Sequence, residues 1–209
     1  MAQKKPGRPS DTAKRTAIIE AAARSFFDDG FAATAIEQVA ADAGVSKVTI
    51  YNHFGDKRAL FAAAVDMECA KMRGHFSIDD ARTGSIREQL SVIAHAMHAF
   101  LSRPEMIQFD HRIAAETEQD PAIGKAFLEA GPWRMKADFA AFLAHAEKAG
   151  QLAVPDTALA AEQFVAMSKG MGDLEARFGL AVSKEDSDKR IAGAVDVFLS
   201  AYGTEETPN

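Results

Sequence analysis

Residues 30–61 read GFAATAIEQVAADAGVSKVTIYNHFGDKRALF, and the punctuation of this stretch decides the fold. Thr34-Ala35-Ile36-Glu37 has the spacing of a capping box, in which the Thr34 hydroxyl accepts from the Glu37 amide and the Glu37 side chain returns to the Thr34 amide. The short helix it opens carries Ile36, Val39 and Ala40 inward and stops at Gly44. Ser46 starts a second short helix, and Gly55-Asp56 separates it from a longer one beginning near Lys57. Two short helices joined by Ala43-Gly44-Val45 fit a helix-turn-helix, whose sharp turn needs a residue tolerant of positive φ. Val39, Ala40, Val45 and Ile50 would pack the two helices together and leave Lys47, Val48 and Thr49 facing outward. On spacing alone, a plain helical core fits the same residues equally well.

The remaining sequence is helical in pattern, with no sustained alternation of apolar and polar residues. Ile18, Ala22 and Phe26, flanked by Ile19, Ala23 and Phe27, form a stripe ending at Asp28-Asp29-Gly30. Ser85-Ile86-Arg87-Glu88 is a second capping box, opening a helix to about Leu101, and Ser102-Arg103-Pro104-Glu105 is a third, opening one to about Gln119. Asp120-Pro121 breaks the chain before a short helix to Ala130, and Gly131-Pro132 turns it into a helix from Trp133 to Lys148. Val154-Pro155-Asp156 opens a long helix to about Phe178, and Ser183 caps a final one ending near Tyr202. The expected fold is all-α: a three-helix helix-turn-helix head followed by a larger helical domain, which the family resemblance given below implies is a ligand-binding and dimerisation domain. The divisions are a flexible basic arm over 1–15, the head over 16–60, the second domain over 61–203 and a disordered tail over 204–209.

Composition excludes several function classes. With 47% hydrophobic and 26% charged residues over 209 positions, the chain has globular composition. One cysteine, Cys69, rules out an internal disulfide framework and a multi-cysteine zinc site. The longest run free of Lys, Arg, Asp and Glu, Gln89 to Ser102, is fourteen residues, short of the roughly eighteen a membrane span needs. Lys4, Lys5 and Arg8 lead into Ser10-Asp11-Thr12 rather than into an apolar segment, so no signal peptide is read and a cytoplasmic location is expected. The net charge of −6 argues against a nucleic-acid partner until it is divided. Residues 1–15 sum to +4, residues 1–60 to +2 (nine basic, seven acidic) and residues 61–209 to −8 (fifteen basic, twenty-three acidic), which suggests a small DNA-facing head on an acidic body.

In a helix-turn-helix the second helix enters the major groove and touches base edges with its N-terminal residues. Ser46, Lys47 and Thr49 can hydrogen-bond to phosphate or bases, Val48 or the Thr49 methyl can contact thymine, and Tyr51, His53 and Lys57 are placed for phosphates. Residues 30–61 also resemble the signature of the TetR family of transcriptional regulators. The likeness is carried by Gly30, Phe31, Thr34, Ile36, Val39, Ala40, Ala43, Gly44, Val45, Ser46, Tyr51, His53, Phe54, Lys57, Leu60 and Phe61, with Phe26 before them. Two positions depart from the pattern: Ala35 replaces a common second threonine, and Val48 a glycine often found before Thr49. The resemblance implies a non-enzymatic homodimer on a double-stranded DNA operator, most often a repressor, released by a small-molecule effector of unknown identity, with no cofactor and no membrane partner. Thr34 joins the expected DNA-binding residues, and Arg8 in the Gly-Arg-Pro of the arm is either part of a disordered tail or a minor-groove contact.

From Arg112 to Gly170 the chain further resembles the AefR-like subgroup of TetR C-terminal domains, on Arg112, Glu116, Asp120-Pro121, Phe127, Glu129-Ala130-Gly131-Pro132 and Gly150 through Phe164. Large apolar residues crowd the middle helices: Met97 and Phe100, then Met106, Phe109 and Ile113, then Phe127, Trp133 and Phe139. They would line a cavity for a hydrophobic ligand oriented by His111, Arg112 or Glu116, or they are simply core. On the last two helices, Phe164, Met167, Met171 and Phe178, with Val195, Phe198 and Tyr202, follow a 3-4 spacing; one stripe on each would bury against its own domain and the remainder pair with a second subunit as a four-helix dimer interface. His95, His98, His111, Glu116 and His145 are scattered without a catalytic or metal-binding motif, so no metal site is expected.

Overall fold

A computed structural model describes residues 11–73 and 84–204; Arg8, the rest of the arm to residue 10 and the tail from residue 205 lie outside the described residues. The helices are α1 (Asp11–Asp29), α2 (Ile36–Asp42), α3 (Lys47–Phe54), α4 (Lys57–Arg73), α5 (Ile86–Leu101), α6 (Pro104–Gln119), α7 (Pro121–Ala130), α8 (Pro132–Lys148), α9 (Thr157–Arg177) and α10 (Lys184–Tyr202). Among the described residues there is no strand, only an isolated bridge between Leu152 and Gly203. No helix among the described residues is long and apolar enough to cross a membrane.

Local chemistry explains where four of these helices begin. Ser46 accepts from the Thr49 amide, Ser183 from the Asp186 amide, and Ser85 forms both halves of its capping box with Glu88. Asp156 caps α9 through the Ala158 and Leu159 amides. Two expected boxes do not form. Helix α2 starts at Ile36, so its N-cap is Ala35, which has no side chain to offer. The Thr34 hydroxyl is buried and donates instead to the Gly30 carbonyl at 2.7 Å, while Glu37 turns to Lys47. Ser102 is the C-cap of α5, and its hydroxyl donates to the His98 carbonyl at 2.7 Å. Only two residues separate α5 from α6, and the carbonyl of the preceding helix claims that hydroxyl first.

The chain divides into two compact units whose limits do not follow the expected boundary at residue 60. The first comprises α1 to α3, α4 as far as Glu68, and His111–Ala130, which is the second half of α6 and all of α7. Ile18, Ala22, Phe26, Val39, Ile50, Leu60 and Phe61 are buried in it. Phe26 meets Phe61 edge-on at 5.2 Å and Phe31 stacks on Phe26 at 5.8 Å, an arrangement that adds about 0.5–1.5 kcal/mol per ring pair beyond area burial.

The second unit holds the rest: Cys69–Asp110 and the chain from Gly131. Its core joins Ile86, Leu90 and Ala94 of α5, Leu143 and Ala146 of α8, Ala160, Ala161 and Phe164 of α9, and Ile191, Val195 and Phe198 of α10. A chain of rings runs through it from Phe139 to Phe164 (5.3 Å), Phe198 (5.1 Å) and Tyr202 (4.9 Å). Within α9, Gly170 has φ 48° and ψ −153°, a conformation essentially restricted to glycine, and the helix kinks there. Arg190 of α10 packs against the break, so a Cβ on Gly170 would sit 2.7 Å from its Cδ.

Two substitutions test these local features. Ala35→Ser supplies the missing cap of α2 and should raise stability by about 1 kcal/mol, seen as a higher urea midpoint at unchanged m. In a regular helix Gly170→Ala would stabilise by roughly 1 kcal/mol; here the kink and Arg190 reverse the sign, and a loss of about 1–3 kcal/mol is expected in the same assay.

Candidate nucleic-acid interface

The turn of the helix-turn-helix is as the sequence suggests, with Gly44 at φ 64° and the Val45 amide bonded to the Ala40 carbonyl at 2.9 Å. Val39, Ala40 and Ile50 are buried and Val45 is half-buried. The opposite face of α3 carries Lys47, Val48 and Tyr51, all exposed. Lys47 pairs with Glu37 of α2 and lies 5.8 Å from the centre of the Tyr51 ring. The hydrogen bond between the two charged groups holds the Glu37 carboxyl below and the Lys47 ammonium above their usual ranges, so both stay charged. Ser46 and Thr49 spend their hydroxyls on each other at 2.9 Å.

Three other expected DNA-binding residues are committed inside this unit. Thr34 is buried on the Gly30 carbonyl. His53 is half-buried, with Nε2 3.4 Å from an Asp11 oxygen. Lys57 donates to the Ala32 carbonyl at 3.1 Å and stands 4.8 Å from the centre of the Phe31 ring. Burial pulls the Lys57 ammonium below the ordinary lysine range, and the Glu116 carboxylate opposes that pull.

Residues the sequence assigned to a ligand cavity hold the turn between α1 and α2. Gly30-Phe31-Ala32-Ala33 has no polar side chain with which to satisfy its own backbone. Glu116 of α6 accepts from the Phe31 amide and, with its other oxygen, from the Ala32 amide, both at 3.1 Å. Arg112, one helical turn earlier, donates to the Phe27 carbonyl at 2.6 Å, a cation at the negative end of α1. Gly30 at φ 89° lies so close that a Cβ there would be 2.5 Å from a Glu116 oxygen. The i, i+4 spacing of Arg112 and Glu116, set against a turn lacking polar side chains, is the sequence signal that could have revealed this clamp.

In the second unit, a cavity of about 480 Å³ is lined by Met97, His98 and Leu101 of α5, Ile107 of α6, Lys169 and Asp173 of α9 and Leu180 beyond it, among others. Of the expected pocket residues, Met97 alone lines it. Met106, Phe109 and Ile113 are buried; His111 and Trp133 are exposed. Phe100 lies under the Arg103 guanidinium, Phe139 stacks on Phe142, and Phe127 is half-buried. Burial, then Arg190 and His95, lower the His98 pKa against the pull of Asp188 and Asp173, which favours the neutral imidazole. Of the lining charges, Lys169 reaches Asp173 at 3.1 Å and the two cancel; Arg177, outside the lining, also reaches Asp173 at 3.1 Å and pairs with Asp110 at 2.7 Å.

The expected dimer face divides. Phe164, Val195 and Phe198 are buried in the core of their own unit, Met167 packs against it, and the Tyr202 hydroxyl donates to Gln163 at 2.8 Å. Met171 and Phe178 are exposed, the latter at 79%, and Leu174, Leu180 and Val197 are exposed with them. A core-facing stripe and an outward stripe share the same helical period: Phe164, Val195 and Phe198 belong to the first, Met171 and Phe178 to the second.

Comparison with known proteins converges on one family. Residues 18–64 match the model of bacterial regulatory proteins of the tetR family, and residues 88–204 match that of the AefR-like transcriptional repressor C-terminal domain. Over 53 residues the chain is 42% identical to YerO, an uncharacterized HTH-type transcriptional regulator of Bacillus subtilis (strain 168); the match covers 25% of this chain and 18% of that protein. A TetR-family protein of Mesorhizobium loti MAFF303099 superposes with a TM-score of 0.78 at 28% identity, over 94% of this chain and all of the other. The flavonoid-responsive regulator FrrA does so with a TM-score of 0.74 at 29% identity, over 93% of this chain and 99% of its own.

Removing the clamp should be measurable. Glu116→Ala leaves the Phe31 and Ala32 amides without their charged acceptor, and urea unfolding should show a loss of about 1–2 kcal/mol, reduced because the Ala32 amide is open to water.

Proposed function

Since the chain belongs to the TetR family of bacterial regulatory proteins, we propose that two copies of it sit on a palindromic operator as a repressor and leave it when a small hydrophobic ligand binds. The observation that carries this reading is the outward face of α3, where Lys47, Val48 and Tyr51 stand exposed on a helix whose other side is buried. Tyr51 is a phosphate contact, Lys47 adds another with an N–H that its pairing with Glu37 leaves over, and Arg8 adds salt-dependent affinity from the arm. Thr34, His53 and Lys57 support the head from within. The acidic charge beyond residue 60 keeps the rest of the protein off DNA, in the cytoplasm where the operator lies.

Two copies pair through the exposed residues of α9 and α10, with Met171, Leu174 and Phe178 at the centre. Pairing sets two recognition helices about one turn of DNA apart. The ligand occupies the cavity beside Met97 and His98. Its balanced wall charges and neutral imidazole favour an uncharged, largely apolar molecule carrying a hydroxyl. The similarity to FrrA, a flavonoid-responsive regulator, supports a planar aromatic compound. Helices α4 and α6 each run without a break from one compact unit into the other, and they carry the change from ligand to head.

A mobility-shift assay with DNA from upstream of the protein's own gene tests the proposal. The expected result is a specific complex whose log–log salt slope falls by about 0.9 for each phosphate contact removed, as in Tyr51→Ala, and which a flavone aglycone dissolves. Phe178→Asp should give a monomer in sedimentation and weaken the complex at least about tenfold, a cost of roughly 1.4 kcal/mol or more. Binding no tighter than to unrelated DNA at the same salt would sink the reading.

A further inference from the structure

We propose that Val48 reads the 5-methyl group of a thymine in each operator half-site, so that base selection by the first turn of α3 rests on an apolar contact rather than on hydrogen bonds. The inference depends on the DNA-binding reading above and adds to it the chemistry that is read.

The argument begins with what the polar side chains beside Val48 already do. Ser46 accepts from the Thr49 amide at 3.1 Å and shares a hydrogen bond of 2.9 Å with the Thr49 hydroxyl. The Lys47 ammonium is paired with Glu37 and rests near the Tyr51 ring. Every polar group able to address a base edge from this turn therefore has a partner within the protein, and turning it to DNA would break a bond already made. Val48 has no such commitment. It is 66% exposed, and in the first unit it and Tyr51 are the exposed large hydrophobic residues among the described residues.

Helix stability does not account for Val48. A β-branched residue is a mediocre helix former, and its side chain here remains largely in water. It stands two residues beyond the N-cap, in the part of a recognition helix that reaches base edges. Among the four bases in the major groove, the thymine methyl is the apolar group available to meet it. Burying a valine methyl against it removes apolar surface from both partners and needs no donor or acceptor.

The test is a uracil scan. The operator is first mapped by footprinting DNA upstream of the gene. Each thymine is then replaced singly by deoxyuridine, which removes only the methyl group. Dissociation constants are measured for the full-length wild type and for Val48→Ala, whose fold a thermal melt verifies. At one thymine per half-site, uracil should weaken the wild type about three- to tenfold. Val48→Ala should weaken binding to the thymine duplex by a similar factor and suffer no further loss from uracil there. Thr49→Ser, which deletes the other candidate methyl, should retain the full uracil penalty. A flat uracil profile with intact operator binding overturns the proposal alone, as does a penalty that persists in Val48→Ala or vanishes in Thr49→Ser. Absence of any specific DNA complex overturns the underlying reading and the proposal together.

Discussion

The recognition surface depends on a carboxylate that lies outside the helix-turn-helix. Glu116 binds two consecutive amides of the α1–α2 turn, and Arg112 closes the end of α1 on the Phe27 carbonyl. Side chains within the turn cannot replace these contacts, since residues 30–33 offer glycine, phenylalanine and two alanines. The direction in which α2 leaves the turn, and hence the tilt of α3, is fixed by a residue 85 positions later in the chain than the amide it holds. This explains why α7 and half of α6 form one compact unit with the head. It also explains the small residue at position 30, where the carboxylate has taken the space of a side chain.

Within that frame, α3 divides its work between internal and external partners. Hydroxyls that would serve equally well on DNA are used to start the helix, and its lysine is used to tie it to α2 through Glu37. Such ties lower the entropy lost on binding, because the surface is already ordered before DNA arrives. Fewer groups are then free to discriminate, and the burden shifts to shape and apolar contact.

How much of this was legible in the sequence depended on the range of the interaction that decides each feature. The caps at Ser46, Ser85 and Ser183 could be read because donor and acceptor lie three residues apart. Thr34 and Ser102 carry the same local signal, but a closer carbonyl competes for each hydroxyl, and spacing does not show which partner wins. Phe164, Val195 and Phe198 were recognisable as one face of their helices, yet periodicity does not say whether a face meets its own core or another molecule. Arg112 and Glu116 looked like polar groups aimed at a ligand because their partners are backbone atoms of a distant turn, which no side-chain pattern records. Arg190, which packs against the kink at Gly170, lies twenty residues away on another helix, and glycines in an amphipathic run give no hint of it.

That kink has a consequence for how the protein can diverge. Before Gly170, α9 contributes Ala160, Ala161 and Phe164 to the core, where a change of even one methylene group disturbs the packing. After it, Met171, Leu174 and Phe178 face outward and carry little of that burden. These outward residues can change in sequence without disturbing the packing before the break. If copies of the chain pair through this outward stripe, as proposed above, duplicated genes can become mutually exclusive through substitutions on one short segment, while the interior they inherited stays intact.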